Sequence, residues 1–454
     1  MLKPSILNSI ERKFILLIGD LLIILASVNV FVNHAIDKEF FSLKLKFIIF
    51  LFGLLFYAVL SYVLDFYSLE KNRVRKYVLS QSIYIATIYV FAIFMFTLLI
   101  FDVSFWRGPL ILFLLLTPIE IALWRLFFSN VFKILPVVKN VMYIYDENSK
   151  KIEEEINSIN GKDLETFYRV KLTYSLDKNS NDHKEYFTNA VEKIDTFIIN
   201  TQSYSTIPIQ LEKILVKSIL KGKEVISFTS FYQNIYEALP IKSHNDSFYE
   251  ILQLKNKKIR YVQVIFNFLI NFLLALFVGS FLLLVIPFVF CLNLLSNKGP
   301  LFYTQKRVGQ YGKEFNIYKF RSMVVDAEKS GVKMATRGDS RITAFGKILR
   351  LFRIDELPQI ISVIKGDMQF IGPRPERKVF VSQLNKITPF YNVRHLVKPG
   401  ITGWAQVKFK YGENLDDSIQ KLEYDLFYIK NKSITLDLRI IFKTITTVLF
   451  SRGV

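Results

Sequence analysis

The most restrictive feature of the sequence is a run of 36 residues, Val262 to Asn297, that contains no charged side chain. As one straight helix it would be about 54 Å long, whereas the hydrocarbon core of a bilayer is about 30 Å thick. Gly279 and Pro287 interrupt the run, and a proline removes a helical hydrogen-bond donor and kinks the chain. The run therefore predicts a helix that enters the membrane, breaks near Pro287 and returns to the same face. A tight two-helix hairpin is the alternative.

Four further apolar segments fill the first third of the chain, and each is long enough for a spanning helix of about 20 residues. Asp20 lies within the first of them. Because a carboxylate in lipid is costly, we expect Asp20 to face a neighbouring helix, and we favour a bundle contact over a proton relay. Residues 1–136 are thus predicted to form a four-helix transmembrane bundle. The segments are Phe14–Val32, Phe47–Leu64, Val78–Phe101 and Pro109–Phe128.

The distribution of Lys and Arg indicates how the bundle is oriented. Ten basic residues lie before the first segment, between the second and third, and after the fourth, with Arg125 counted in the last group. Only four lie in the other two loops. Because cytoplasmic loops carry the excess of Lys and Arg, both ends of the bundle are expected on the cytoplasmic side.

The overall composition narrows the choice of partners. The 454 residues include 59 Lys and Arg against 39 Asp and Glu, a formal net charge of +20, and 51% are hydrophobic. This combination indicates contact with membrane lipid headgroups or phosphate-bearing substrates. Nucleic-acid binding is the competing interpretation, but it would not require long uncharged apolar runs, so no nucleic-acid partner is expected. The single cysteine, Cys291, excludes a disulfide framework within the chain.

Residues 137–250 have a soluble composition and alternate between predicted strands and helices. Such alternation is typical of a small, Rossmann-like α/β domain with a parallel sheet. The first strand, VMYIY, is followed by Asp146, Glu147 and Asn148 and not by a G-x-G-x-x-G turn. We therefore expect a structural or regulatory module without a dinucleotide site. The predicted strands are Val141–Tyr145, Thr166–Ser175, Ile194–Asn200 and Glu224–Thr229, and the predicted helices are Ser149–Ile159, His183–Lys193 and Pro208–Lys221.

Two adjacent carboxylates, Asp355 and Glu356, lie in a basic stretch of the C-terminal part. Arg350 and Arg353 precede them by a few residues. On position alone, Asp355 would cap a helix over Glu356–Lys365. A carboxylate at a helix N-terminus near arginines is also held in its charged form, which suits a nucleophile or a ligand for Mg²⁺. Mg²⁺ prefers one or two carboxylates together with substrate phosphate oxygens.

Other basic residues are candidates for phosphate contacts. Arg374 stands between two prolines in GPRP, which restrict its backbone and preorganise its guanidinium for an anion. Lys319 and Arg321 in YKFRSM are surface charges by default, or phosphate or headgroup contacts. The closing segment, Thr435–Phe450, is amphipathic, and both an interfacial helix and a plain packing helix remain open. Short strands are predicted at Phe302–Gln305 and Phe315–Lys319.

The C-terminal part, from about residue 255, resembles the bacterial sugar transferase family, the polyprenyl-phosphate hexose-1-phosphate transferases. Its motifs stand in the family's order over about 190 residues, which is far more specific than any one motif. The preceding helices and α/β domain resemble the long, multi-pass members. The resemblance implies a monotopic α/β catalytic domain over residues 251–454 with a re-entrant helix at 262–297. The motifs are GPLFYTQKRVG, YKFRSM, RIDELPQ, KGDMQFIGPRPE, RHLVKPGITGWAQV and YDLFYIKNKSITLDLRIIFKT.

The resemblance also implies the chemistry. A sugar-1-phosphate would pass from a UDP-sugar to undecaprenyl phosphate with release of UMP, as the first membrane step of surface polysaccharide synthesis. Asp355 matches the family's nucleophile, which forms a phosphosugar–aspartyl intermediate, and Glu356 matches its partner, associated with Mg²⁺. The basic positions near the active site are matched by Lys319, Arg350 and Arg374.

Membership of this family further implies location and assembly. The protein would lie in the bacterial cytoplasmic membrane, among its lipids, with the active site on the cytoplasmic face, and we expect a homodimer. Pro287 matches the break in the family's re-entrant helix. Ile286 and Asn267 depart from the family pattern, in which a serine precedes the proline and an aspartate lies early in the helix.

Two other classes of function remain open at this stage. One is a non-enzymatic membrane scaffold or sensor of glycan assembly that has lost its activity. The other is a glycosyltransferase that moves the sugar without its phosphate and releases UDP. The intact residues Asp355, Glu356 and Arg374 favour the phosphosugar transferase.

Overall fold

The structure is a computed structural model of the chain. It divides the chain into two compact units, Met1–Asn140 with Glu153–Lys171, and Val141–Ile152 with Leu172–Val454. Both predicted domain boundaries, after residues 136 and 250, lie outside the described residues. The structure describes residues 9–35, 43–64, 66–67, 75–100, 107–131, 139–146, 155–157, 159, 168–176, 191–201, 207–241, 261–296, 299–327, 339–409 and 415–449.

Four long helices in the first unit confirm the four predicted apolar segments. Each is long and apolar enough to cross a membrane. Each packs against its neighbour in the chain, and the first also packs against the fourth. The helices are α1 (Ser9–Ala35), α2 (Leu43–Val63), α3 (Arg75–Ile100) and α4 (Arg107–Val131).

A buried ion pair links the first and fourth helices. Asp20 of α1 accepts hydrogen bonds from the guanidinium of Arg125 of α4, and both side chains are fully buried. Arg125 also donates to the carbonyl of Phe66 at 3.0 Å and stacks on its ring. The prediction that Asp20 faces a neighbouring helix is confirmed. Arg125 was wrongly counted as a flanking charge, because it is buried within the predicted fourth segment, Pro109–Phe128; the remaining nine basic residues against four predict the same orientation.

A four-stranded sheet follows, in the order β2-β1-β3-β4. Strand β3 pairs in parallel with β1 on one side and with β4 on the other, as the alternating pattern predicts. The strands are β1 (Lys139–Tyr145), β2 (Tyr168–Ser175), β3 (Thr196–Asn200) and β4 (Glu224–Ser227), and the helices beside them are α5 (Ile209–Leu220) and α6 (Phe228–Tyr236).

Strand β4 is shorter than predicted. The expected strand Glu224–Thr229 ends at Ser227, because the Ser227 hydroxyl accepts a hydrogen bond from the Ser230 backbone N–H and starts α6. The predicted helices at 149–159 and 183–193 lie mostly outside the described residues.

The uncharged run forms a single helix, α7 (Tyr261–Ser296). It continues through Pro287, so the expected division into two helices at this proline is wrong. The proline still leaves the carbonyl four residues earlier without its helical donor. Asn271 in the first half of the helix contacts the rest of the second unit, because its Oδ1 accepts a hydrogen bond from the backbone N–H of Phe370 at 2.8 Å. Ser280 donates to the carbonyl of Leu276, within the helix itself.

The rest of the second unit folds around one apolar core that also receives Leu282 and Val289 of α7. Strands β5 (Phe302–Val308) and β6 (Glu314–Phe320) form an antiparallel hairpin and confirm the two predicted short strands. Strands β7 (Gln369–Ile371) and β8 (Gly400–Thr402) pair in parallel. The helices are α8 (Ala344–Leu351), α9 (Ile360–Ile364), α10 (Lys378–Ile387), α11 (Trp404–Lys408), α12 (Leu415–Asn431) and α13 (Ile434–Leu449), with 3₁₀ turns at Ile354–Gln359 and Pro389–Leu396.

The closing segment, for which an interfacial helix and a packing helix were both open, forms helix α13. Leu436 and Ile440 are buried in the core of the second unit, and Asp437 is buried beside them. The first half of the helix therefore packs against protein, whereas Ile445 in the second half is exposed.

Candidate active site

The two adjacent carboxylates lie in the 3₁₀ turn Ile354–Gln359, between α8 and α9. The turn follows Arg353, whose backbone has a left-handed conformation with φ of 58°. The turn begins without a side-chain cap, and Asp355 lies inside it. The expectation that Asp355 caps a helix over Glu356–Lys365 is therefore wrong, since a 3₁₀ turn precedes the helix. The change of direction at Arg353 brings both carboxylates close to strand β6.

Glu356 is held by two cations. Its Oε1 accepts a hydrogen bond from Lys319 Nζ at 2.8 Å, and Arg374 donates to Oε1 at 2.5 Å and to Oε2 at 3.4 Å. Burial alone would raise the pKa of Glu356, but Arg374 and Lys319 outweigh it and hold this pKa well below its usual range. Glu356 is therefore a fixed, ionised group.

Asp355 has a different environment, although it is next in the chain. It is 6% exposed, and within the described part of the chain no group donates a hydrogen bond to its carboxylate. Burial and the negative charge of Glu356 raise the pKa of Asp355, against the opposing charges of Lys319, Arg350 and Arg353. The expectation that position and arginines hold Asp355 in its charged form is thus wrong in direction. Its oxygens are, however, left available to an incoming group.

The other predicted basic residues contribute differently. Arg350 donates from Nε to the hydroxyl of Ser322 at 2.9 Å and acts on Asp355 through its charge. Arg321 donates to the carbonyl of Pro300 at 2.9 Å and lies over the ring of Tyr303. The structure therefore brings Lys319, Arg350 and Arg374 to the acidic pair, whereas the described contacts of Arg321 are with Pro300 and Tyr303.

The GPRP segment is rigid, as its sequence predicts. A Cβ atom at Gly372 would lie 2.5 Å from the carbonyl oxygen of Lys398, so only glycine allows this approach. The carbonyl of Arg374 accepts a hydrogen bond from Arg394 at 2.8 Å, and Arg394 forms a buried ion pair with Asp425 at 2.9 Å. The backbone and side chain of Arg374 are therefore both fixed before any substrate binds.

Two residues of this site were missed by sequence reasoning. Gln406 Oε1 accepts a hydrogen bond from Arg374 Nη1 at 3.2 Å, and Arg394 supports the GPRP backbone. Both lie in the motif RHLVKPGITGWAQV, but nothing in that motif indicates contact with a residue 20 or more positions earlier.

The acidic pair offers few ligands for a metal ion. Among the described residues, no cluster of three or more His, Cys, Asp or Glu side chains could hold one. Asp355 has free oxygens, while those of Glu356 already receive hydrogen bonds from Lys319 and Arg374. This arrangement fits a Mg²⁺ ion that takes one or two protein oxygens and completes its shell with substrate phosphate and water.

The site therefore pairs an ionised glutamate, bound by two cations, with an aspartate to which no described residue donates a hydrogen bond. Comparison with known proteins gives the family: the family model for bacterial sugar transferases matches residues 262–451. An uncharacterized sugar transferase of Bacillus subtilis (strain 168), EpsL, is 39% identical over 170 residues, which are 37% of this chain and 80% of that protein. The chain therefore belongs to the bacterial sugar transferase family, and the resemblance inferred from its motifs is confirmed.

Two longer relatives carry more specific names. The UDP-N-acetylgalactosamine-undecaprenyl-phosphate N-acetylgalactosaminephosphotransferase of Aeromonas hydrophila is 51% identical over 159 residues, 35% of this chain and 38% of that protein. The UDP-glucose:undecaprenyl-phosphate glucose-1-phosphate transferase of Xanthomonas campestris pv. campestris is 46% identical over 158 residues, 34% of this chain and 33% of that protein. The matched region thus spans 38% of the first relative and 33% of the second.

Proposed function

We propose that the protein transfers a sugar-1-phosphate from a UDP-sugar to undecaprenyl phosphate and releases UMP. The observation that carries this proposal is the contrast between Asp355, whose carboxylate has no hydrogen-bond donor among the described residues, and Glu356, which two cations hold. The names of the two longer relatives support the same pair of substrates. The transfer would be the first membrane step in the synthesis of a surface polysaccharide.

The proposed reaction has two displacement steps at one phosphorus atom. A carboxylate oxygen of Asp355 attacks the β-phosphorus of the UDP-sugar, and the bond from that phosphorus to the oxygen bridging the two phosphates breaks. UMP leaves with the bonding electrons, and the sugar phosphate stays on Asp355. A phosphate oxygen of undecaprenyl phosphate then attacks the same phosphorus, and the carboxylate of Asp355 leaves. A nucleophile of this kind divides a difficult transfer between two anions into two steps.

The surrounding residues have separate roles in these steps. Arg374 and Lys319 lie next to the acidic pair and would offset the charge that develops on the phosphoryl oxygens. Glu356 keeps both cations in place. Asp355 and Glu356 are the residues that would hold Mg²⁺, which when bound supplies further positive charge beside the phosphates.

The nucleotide product tests this proposal against its alternatives. The full-length protein in nanodiscs is mixed with undecaprenyl phosphate and each of a panel of UDP-sugars, and the released nucleotide is identified. We expect UMP with at least one sugar, and mass spectrometry of the lipid product identifies that sugar. UDP would favour a glycosyltransferase, and no nucleotide from any sugar would favour an inactive scaffold or sensor.

We also propose that α7 enters the membrane from the cytoplasmic face and does not cross it. Asn271 hydrogen-bonds to Phe370, and Val289 near the other end is buried in the apolar core of the second unit. These two positions are separated by 18 residues, or about 27 Å of helix, which is close to the hydrocarbon thickness. A helix that crossed would keep its contacts with a cytoplasmic domain to one end only. The remaining apolar side chains of α7 are largely exposed and would face lipid.

In the same arrangement, α1 to α4 cross the bacterial cytoplasmic membrane as a bundle, with the active site on the cytoplasmic side. There the UDP-sugar is available, and the lipid phosphate lies at the membrane surface.

A homodimer is the proposed assembly. An exposed apolar row on α5, outside the proposed membrane segments, favours it because such rows are typical of protein interfaces. Mass photometry in native nanodiscs would show a dimer, and monomers alone would contradict it. The row consists of Ile209, Val216, Ile219 and Leu220.

A further inference from the structure

The segment that follows α6 packs directly on the part of the chain that carries the acidic pair. Leu239 and Ile241 are buried in the core of that part. The carboxylate of Glu423 in α12 accepts hydrogen bonds from the backbone N–H of Ile241 and the hydroxyl of Tyr232, both at 3.2 Å. The last helix of the α/β domain is therefore anchored to the candidate catalytic part by specific polar contacts.

Glu237, at the end of α6, makes a different set of contacts, and most of them involve α11. Its carbonyl accepts a hydrogen bond from the indole N–H of Trp404 at 3.0 Å. Its carboxylate forms ion pairs with Lys408 and, at 2.7 Å, with Arg439. Trp404 and Lys408 are the first and last residues of the five-residue helix α11. Glu237 therefore holds both ends of this helix.

The charge of Glu237 is needed at this place. Lys408 and Arg439 both lie over the ring of the fully buried Trp404, with their charged groups 4.9 and 5.1 Å from its centre. Two cations on one ring repel each other unless an anion lies between their charges. A helix of only five residues is also too short to be stable by itself, so its position depends on such contacts.

Helix α11 is connected to the active site in two ways. Gln406, in the middle of the helix, accepts a hydrogen bond from Arg374, and Arg374 in turn holds Glu356. Gly403, just before the helix, packs so closely on Gly372 that a Cβ atom would lie 2.1 Å from the Gly372 carbonyl oxygen. A displacement of α11 therefore acts on both the side chain and the backbone of the GPRP segment.

We propose that Glu237 is a positioning residue for Arg374, through α11 and Gln406. The contacts from Glu237 to Arg374 do not depend on which reaction the protein catalyses, whereas the expected effect of Glu237 on kcat rests on the proposed transferase function. The α/β domain would thereby take part in shaping the active site. Glu237, at the end of its last helix, contacts α11, and Gln406 of α11 contacts Arg374.

The test uses matched isosteric substitutions in the full-length protein in nanodiscs. Glu237→Gln removes the charge that pairs with Lys408 of α11. Glu423→Gln makes the same chemical change in the same contact region, at a carboxylate that accepts hydrogen bonds from Tyr232 and Ile241. Hydrogen–deuterium exchange is measured for peptides covering residues 372–376 and 403–409. We expect faster exchange in both peptides for Glu237→Gln, and no change in 372–376 for Glu423→Gln. Equal exchange at 372–376 in the wild type and Glu237→Gln would overturn the proposal.

Kinetics separate positioning from a general loss of stability. We expect Glu237→Gln to lower kcat about tenfold, less than the roughly 100-fold cost of a full 1 Å misplacement, with KM for the UDP-sugar unchanged. Glu423→Gln should leave kcat unchanged. Because Glu237 acts on the Arg374 side chain through Gln406, Glu237→Gln should lower kcat by a smaller factor in the Gln406→Ala background than in the wild type; the contact of Gly403 with Gly372 accounts for the remainder. If the two substitutions lowered kcat by independent factors that multiply in the double variant, the proposal would be contradicted. An inactive wild type would contradict the transferase function. In that case the hydrogen–deuterium exchange result would still test the positioning of the GPRP segment.

Discussion

Asp355 and Glu356 are neighbours in the chain, yet among the residues that the structure describes only Glu356 has cationic partners within hydrogen-bonding distance. Lys319 and Arg374 both donate to Glu356, which keeps the pKa of Glu356 well below its usual range despite burial. Burial and the fixed charge of Glu356 raise the pKa of Asp355. One carboxylate of the pair therefore binds two cations, and the other receives no hydrogen bond from a described residue.

Replacement of Arg374 by lysine should impair transfer even though the charge is kept. Arg374 contacts both oxygens of Glu356 and also Gln406, whereas an ammonium group has no planar fork to reach all three. We expect Arg374→Lys to lower kcat by about 10- to 100-fold, measured as UMP release. Arg377→Lys, three residues later and outside the site, is the control and should retain wild-type activity. Full activity in Arg374→Lys would show that the bidentate geometry is not needed.

Removing one partner of the buried pair Asp20–Arg125 should lower the stability of the protein strongly, whereas replacing both partners by apolar residues should lower it little. Arg125→Met leaves the Asp20 carboxylate buried without its cation, although the hydroxyl of Tyr57 still donates to it, and should lower the free energy of unfolding by about 3–5 kcal/mol. The double variant Asp20→Leu, Arg125→Met removes both charges and should recover most of this loss. Thermal unfolding in nanodiscs measures both. An additive loss in the double variant would contradict the pairing.

Asp437 should make stability depend on pH. Burial raises its pKa to about 6, although Tyr428 donates a hydrogen bond to its carboxylate at 2.9 Å. Since this pKa lies above the unfolded value of about 3.9, the folded state binds the proton more tightly, and stability falls as pH rises from about 4 to about 6. Asp437→Asn removes this effect and keeps an oxygen for Tyr428.

The Tm of Asp437→Asn minus the Tm of the wild type should therefore be more positive at pH 7 than at pH 4. Asp416→Asn, an exposed change in α12, is the control for a general effect of removing a carboxylate. A Tm difference for Asp437→Asn that does not change with pH would contradict the assignment.

Cysteine labelling tests the topology proposed for α7. In a Cys291→Ser background, Lys255→Cys and Lys313→Cys lie on the two sides of the helix in sequence. Both should react only with reagent that reaches the cytoplasmic face. Labelling of Lys313→Cys from the periplasm of intact cells would mean that α7 crosses the membrane and that the active site lies outside.

The sequence predicted the elements that depend on local pattern. Apolar length is sufficient to find α1 to α4, and alternation is sufficient to find the sheet. The prediction failed where one residue determines where an element begins or ends. The side chain of Ser227 starts α6 and so ends β4 early. The left-handed backbone of Arg353 is followed by a 3₁₀ turn in place of the expected capped helix.

The structure brings Lys319, Arg350 and Arg374 close to the acidic pair, but the ordered motifs did not predict which of these residues pair with each other. Lys319 and Arg374 meet at Glu356 from 37 and 18 residues away, and only the packing of β6 and the GPRP segment brings them together. The pairing of Arg125 in the first unit could not be predicted for the same reason, since its partner Asp20 is 105 residues away. The contact of Glu237 with Trp404, 167 residues away, has no signal in either segment.

The most direct test of the central claim is intact-protein mass spectrometry of the protein mixed with its UDP-sugar in the absence of undecaprenyl phosphate. We expect the mass to rise by one sugar phosphate, with the modification on Asp355 and one UMP released per adduct. Undecaprenyl phosphate should then remove the adduct. Asp355→Asn should form no adduct and transfer nothing, whereas Asp367→Asn, an exposed aspartate nearby, should behave as wild type. Transfer by Asp355→Asn at a near wild-type rate would contradict the assignment of Asp355 as the nucleophile.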